Sequence, residues 1–468
     1  MEACPQGQVA THCVVKSKVL MLYAIAEKCR RAFHGLAGMV RSGLAVIRHQ
    51  GVGVFVRLAF IRIRKGAFIR YEFGPPVNQR SVAEPSITPL QAKGQAEFGA
   101  NLAGFFTGQF GIAASSRAFA DALKLAEVPH VVNNVVAEVH GERRKISSIP
   151  TRTNPYAINL VHVNADLAEH FFDSNGPVYS EGKYNIGIWY WELSRFRSRW
   201  LSAFRFYDEI WVTSSFTRDC LSKISPVPVL KIRYPLFLDT SIVESKPRRR
   251  FDLGEDMYVF LFMFDFAGVF ERKNPLALLK AFRLAFERDE RALLVINPIN
   301  SWLNPTAAKS LRKASSGLNV RMIDKHLSER DYLSLLAASD CYVSLHRSEG
   351  LGLTLAQAMF LGKPVIATAY SGNMDFMSTD NSLLVGYKLV ELDTDYGPYE
   401  KGNEWAEPDV DHAAQFMRWA YESQDAAATI GKRGSSDIKQ YMSPTIASHE
   451  IRARLEQIYQ GFASAPLN

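Results

Sequence analysis

Cysteine is scarce in this chain: five in 468 residues (Cys4, Cys13, Cys29, Cys220, Cys341), an odd number with no CxxC pair. That pattern excludes a disulfide scaffold and a cysteine-built zinc site, and a reducing cytoplasm is the expected compartment. Long apolar runs are missing too. None reaches the roughly 18 residues of a membrane span, and the longest near the N-terminus is Val19–Ala26. It is followed by EKCRR instead of a small-residue cleavage site, so a signal peptide fits poorly. Gly and Pro total 51, too few for a low-complexity or collagen-like chain. What is present is ordinary globular composition, 47% hydrophobic and 22% charged. At about 150 residues per domain, the length predicts two or three domains.

The net charge of +8 is unevenly placed. Residues 1–74 hold 12 Lys and Arg against three acids, and the rest of the chain is near neutral. A basic tail on a neutral body points away from nucleic acid and toward one anionic surface contacted by one end. Leu22, Ile25, Cys29, Phe33, Leu36, Val40, Leu44 and Ile47 recur at steps of three and four. This is the stripe of an amphipathic helix, with Lys28, Arg30, Arg31, Arg41 and Arg48 off or beside it. Two readings stand: a helix lying on anionic lipid, or a helical extension packed on the body. Residues 75–96, rich in Pro, Ser and Gln, read as a linker.

From residue 97 the pattern alternates between strand and helix. AEFGANLAGFF, HVVNNVV, INLVHVN, YNIGIWYWE and EIWVTSS read as strands. SSRAFADALKLAEV, LAEHFF, SRFRSRWLSAFRF and SFTRDCLSKI read as helices. A charged break, ESKPRRRFDLGED, precedes a second block with strands MYVFLFMFDF, ALLVINP, DCYVSLH, KPVIATA and NSLLVGY. Its helices begin with NPLALLKAFRLAFE and end with DHAAQFMRWAYES and SHEIRARLEQIYQGF. Strands alternating with helices predict parallel sheets covered on both faces. The expected class is α/β, with two doubly wound Rossmann-like domains, 97–245 and 246–440, facing a cleft. Residues 441–468 are expected to cross back to the first domain.

The most informative segment is SLHRSEGLGLTLAQAMFLGKPVIATAYSGNMDFM, residues 344–377. Gly350 and Gly352 let backbone approach a ligand closely. A helix starting near Leu353 and Thr354 offers free N–H groups and a positive dipole end to a diphosphate. The segment resembles the nucleotide-sugar site of retaining glycosyltransferases with the GT-B fold, particularly glycosyltransferase family 4. The resemblance puts Glu349 against the donor sugar and Gln357, eight positions on, at the nucleotide ribose, where the family has a second Glu. Gly362–Lys363–Pro364, Ala367–Thr368 and Ser371–Gly372–Asn373 with Asp375 continue the match.

The same resemblance assigns DFAGVFERKNP, residues 265–275, to the leaving diphosphate. Lys273 matches the family's Lys. The family's Arg position is Gly268 here, and Arg272 is its candidate substitute. Such cations are needed because breaking the sugar–phosphate bond leaves negative charge on the diphosphate. In the first domain, Gly104, Gly108 and Gly111, followed by Ser116 and Arg117, form a loop expected to face the donor phosphate or the acceptor. His162 and Asn164 stand where relatives carry HxH. Trp191 and Glu192, in GIWYWEL, are the expected acceptor-binding pair, one for stacking on a sugar and one for its hydroxyls. The run YNIGIWYWEL with DEIWVTSSF, including Ser214, resembles a bacterial branch linked to surface-polysaccharide assembly. Base contacts are expected near Asn297 and Met322–Asp324. Asp393 and Asp395 look like a DxD metal motif but read as a solvated loop.

The resemblance covers roughly residues 97–440. It implies transfer of a hexosyl unit from a nucleotide diphosphate sugar to a glycan or lipid-linked acceptor, with no cofactor and no required metal. The expected setting is the cytoplasm, free or peripheral on the cytoplasmic face of the inner membrane. Two rivals are a non-catalytic scaffold with a degenerate site and a sugar-nucleotide epimerase.

Overall fold

The computed structural model describes residues 71–73, 96–137, 153–286 and 291–463. The basic N-terminal stripe and almost all of the linker lie outside the described residues. Among the described residues, no helix is long and apolar enough to cross a membrane.

The first domain is built on β1 (Tyr71–Phe73), β2 (Glu97–Gly104), β3 (His130–Ala137), β4 (Tyr156–Val161), β5 (Tyr184–Ile188), β6 (Glu209–Val212) and β7 (Val229–Lys231). Their order in the sheet is β1-β3-β2-β4-β5-β6-β7, and β2 to β7 are mutually parallel. Helices α1 (Gly111–Leu125), α2 (Ala165–Asn175) and α3 (Ser215–Leu221) connect them. The second domain has β8 (Tyr258–Asp265), β9 (Ala292–Ile299), β10 (Val320–Met322), β11 (Cys341–Ser344), β12 (Val365–Thr368) and β13 (Leu383–Val385). All are parallel, in the order β10-β9-β8-β11-β12-β13. Its helices are α4 (Pro275–Phe286), α5 (Pro305–Ala314), α6 (Glu329–Ala338), α7 (Leu353–Phe360), α8 (Val410–Glu422) and α9 (Gln424–Tyr441). A separate antiparallel hairpin, β14 (Tyr387–Glu391) and β15 (Glu404–Pro408), sits between β13 and α8.

Side-chain alternation in β8 explains why both sheet faces are covered. Tyr258, Phe260, Phe262 and Phe264 enter one buried cluster, while Val259, Leu261 and Met263 enter the opposite one. A strand apolar on both sides cannot leave either face in water. Each fully buried aromatic or aliphatic side chain contributes about 1.5–3 kcal/mol.

The last helix, α10 (Pro444–Ala463), places Ile451, Leu455 and Ile458 in the first-domain core with Leu102 and Phe119. Arg454 clamps it by an ion pair to Glu209, which is wholly buried and also accepts from Trp211 Nε1 at 2.5 Å.

Several elements differ from the expectation. The strand expected over 184–192 ends at Ile188. The helix expected over 194–206 is a 3-10 helix, Ser198–Phe206. Strands β7 and β10, the hairpin and helix α9 were not expected. Gly431 and Gly434 argue against a helix by propensity. In the fold Gly431 serves close packing, because a Cβ there would lie 2.3 Å from the Gly362 carbonyl oxygen.

Candidate active site

In the second sheet, and in the first from β2 onward, the chain reverses direction of progress once. In the second domain this falls between adjacent β8 and β11, and in the first between β2 and β4. Loops leaving the carboxyl ends of such strands diverge and leave a crevice where ligands bind. The glycine segment follows β11 and the Arg272–Lys273 segment follows β8, so the fold brings the two strongest motifs to one switch point.

After β8, Asp265 caps the turn by accepting from Ala267 N at 2.9 Å. Val269 then takes φ 64°, a region a β-branched residue rarely occupies. Such strain costs of order 1–3 kcal/mol and collects at functional loops. It starts a one-turn helix, Phe270–Lys273, that turns both cations toward the β11 loop. Lys273 Nζ donates to Glu349 Oε1 at 2.5 Å, and Arg272 Nη1 lies 3.3 Å from Glu349 Oε2. Arg272 Nη1 also donates to the Ser348 carbonyl at 2.7 Å. Arg272 is buried, whereas Lys273 keeps 19% and Glu349 15% of side-chain exposure.

Gly268 takes part in this packing. A Cβ placed there would be 3.4 Å from both Arg272 Nη2 and Lys273 Cε. The Arg272 guanidinium therefore lies beside the position where the resemblance places an arginine.

Burial pushes the Glu349 carboxyl up, but Lys273 and Arg272 outweigh it and hold it down at about 2. Burial lowers Lys273, and Glu349 opposes that shift. Behind the carboxylate, Glu349 N donates to Ser371 Oγ at 2.8 Å, and Gly372 N donates to Glu349 O at 2.9 Å. A Cβ at Gly372 would lie 2.2 Å from the Gly350 carbonyl oxygen, so these two loops touch only because residue 372 is glycine. His346 is buried beneath, with Nε2 3.1 Å from Asn373 Oδ1, and burial lowers its pKa.

Gly352 adopts φ 89° and starts α7 with no side-chain cap. Leu353 and Thr354 are the first two residues of α7, whose amides have no intrahelical partner, as an anion site requires. Gln357 is half-buried one turn on, and its Oε1 accepts from Tyr332 OH at 2.5 Å. One lone pair of its oxygen is therefore engaged, and the second, with the amide N–H groups, is left for the ribose role expected of it.

The first domain meets this site through Glu192. Its Oε1 lies 4.0 Å from Arg272 Nη2, its Oε2 accepts from Tyr399 OH at 3.0 Å, and its carbonyl accepts from Ser348 Oγ. Trp191 corrects the expectation of a stacking platform. It is 3% exposed, packed among Leu193, Cys220, Tyr399 and Trp405, and has no face left for a sugar. His162 is also corrected. It is 0% exposed, stacked on Tyr190 and edge-on to Phe119, and burial lowers it to about 3. A neutral, enclosed imidazole cannot reach a substrate. Asn164 is half-buried at the end of β4, with Oδ1 accepting from Tyr190 N at 2.8 Å.

Gly108 packs on Phe110, and its carbonyl accepts from Arg117 Nη1 at 2.8 Å. Gly111 opens α1 in free space. Ser116 is buried against the loop, accepting from Phe105 N. Ser214 caps α3. Asp375 joins the domains, accepting from Ser215 N at 2.8 Å and from Lys231 Nζ at 3.2 Å. Asn297 is buried and clips the 323–325 loop through its Nδ2, so its side chain is not offered to a base. Asp393 and Asp395 are exposed and accept from Tyr396 OH and Lys401 N.

One residue of the site carried no sequence signal: Tyr399, which comes from the hairpin, outside every motif.

Residues 247–388 match the family model for glycosyl transferases group 1. No curated protein matches the chain in sequence. Among solved structures, the chain is similar to Anabaena HepE in complex with UDP and glucose: 14% identity, 77% of this chain and 100% of that one, TM-score 0.57. HepE with UDP-glucose superposes over the same shares at 13% identity and TM-score 0.56. Sucrose-phosphate synthase from Thermosynechococcus elongatus gives 14% identity, 78% and 100% coverage, and TM-score 0.57. These likenesses establish the two-domain GT-B architecture, and the glycosyl transferases group 1 model matches within its second domain, over residues 247–388.

Proposed function

We propose that the chain is a retaining glycosyltransferase that moves a hexosyl unit from a nucleotide diphosphate sugar to a glycan or lipid-linked acceptor. The observation that carries this reading is the Glu349 carboxylate, kept ionised by Lys273 and Arg272 beside the uncapped start of α7. In the reaction, the bond from the anomeric carbon to the diphosphate oxygen breaks and a bond to the acceptor oxygen forms. The leaving phosphate oxygen takes the acceptor proton. Lys273 and the amides of Leu353 and Thr354 stabilise the charge left on the diphosphate. Glu349 stabilises positive charge at the sugar, as carboxylates do in glycoside hydrolysis. Glu192 supplies an acceptor-side carboxylate from the first domain. No step calls on a metal, and the acceptor side suits a polysaccharide or lipopolysaccharide precursor.

Thermal-shift measurement with GDP, UDP, dTDP and ADP sugars tests the donor site, because a ligand of the native state raises its melting temperature. A selective shift lost in Lys273→Ala and Glu349→Ala supports the reading, and turnover of the selected sugar then tests transfer. One observation favours a second reading, a non-catalytic sugar-binding scaffold: Gln357, already engaged by Tyr332, stands in place of a second acid. Binding without turnover would decide for it.

A further inference from the structure

The family match ends at residue 388, and the β14–β15 hairpin begins at Tyr387. The hairpin loop therefore lies outside the matched core, yet it is packed on the site. Tyr399 is buried, donates its hydroxyl to Glu192 Oε2 at 3.0 Å and places its ring 6.0 Å from the Arg272 guanidinium. Glu400 pairs with the buried Arg197 at 2.9 Å. Asn403 Nδ2 donates to the Arg195 carbonyl at 2.7 Å.

All three grips fall on one first-domain segment, residues 192–197. That same segment touches the Glu349 loop. Ser348 Oγ donates to the Glu192 carbonyl, and a Cβ on Gly350 would lie 3.2 Å from the Trp191 carbonyl oxygen. Arg272 stands between two carboxylates, 3.3 Å from Glu349 and 4.0 Å from Glu192.

We propose that the hairpin is a clasp between the two domains, and that Tyr399 is a positioning residue acting through Glu192. Its hydroxyl fixes the Glu192 carboxylate on the Arg272 side, and the clasp holds the first domain against the Glu349 loop. A hydrogen bond to a carboxylate is stronger than a neutral one and fixes direction. Without it, Glu192 loses its nearest side-chain partner and is free to turn from Arg272. This deepens the donor-site reading and rests on it for the binding measurement only.

The full chain is compared with Tyr399→Phe, which keeps the ring and its packing, and with Glu192→Gln. Amide hydrogen exchange is read without ligand. The expected result in Tyr399→Phe is exchange about tenfold faster over 192–197 and 348–352, with β8 and β11 unchanged, as local opening predicts. UDP and GDP binding are then measured by calorimetry. Tyr399→Phe is expected to weaken the bound nucleotide about tenfold, the scale of one hydrogen bond to a charged group. In the Glu192→Gln background the same change is expected to add nothing. Unchanged exchange at both segments overturns the clasp. Faster exchange across all strands, or additive binding losses, overturns the positioning role. If the wild type binds neither nucleotide, the donor reading loses its support, and the exchange result alone decides the clasp.

Discussion

Glu349 carries a charge that burial alone would remove; two cations keep it. Its folded pKa of about 2 lies below the ordinary value, so it adds stability above pH about 4.5 that is lost as pH falls toward 2. Removing charge at this centre is expected to lower turnover far more than stability. Glu349→Gln and Lys273→Ala should each reduce kcat about 10²–10³-fold, read by single-turnover kinetics. His162 is held low by burial and opposes folding in acid. His162→Phe should make the chain less acid-labile between pH about 6 and 3 and leave nucleotide affinity unchanged.

Among the elements, legibility follows burial and length. Strands such as β8 are readable because every residue from Tyr258 to Phe264 is buried and apolar. β7 and β10 have three residues each and are never fully buried, so no run exists to be read. Helix α9 is hidden by glycines whose role appears only in packing, Gly431 on the 362–364 loop and Gly434 on Asn381 and Met359. The meeting of Lys273 with Glu349 is legible because each sits in a contiguous motif after a strand. The Tyr399–Glu192 contact is not, since 207 residues separate the two and neither lies in a pattern that names the other. Trp191 is misread for a related reason: a tryptophan beside a carboxylate looks the same in sequence whether it faces a sugar or fills a core. Helix α10 offers a stability test at this scale. Arg454→Ala leaves the buried Glu209 charge without its main partner. That change should destabilise the protein by about 3 kcal/mol, read as a lower urea midpoint.

For the whole molecule, the reading of the basic N-terminal stretch as a helix on anionic lipid makes it separable in function from the two-domain body. Deleting residues 1–74 should release the protein from anionic vesicles in a flotation assay and spare transfer to a soluble acceptor. Retention on vesicles would place the membrane contact elsewhere. The return of α10 to the first domain has a consequence for how the chain is made. Ile451, Leu455 and Ile458 complete a core whose other members lie between Ala100 and Ile232. A ribosome must therefore synthesise the entire second domain before that core can close. At about 5–20 residues per second, the interval is on the order of 10–40 s. During that time the nascent first domain shows an apolar groove where α10 will lie, a site for a chaperone until translation delivers the last helix.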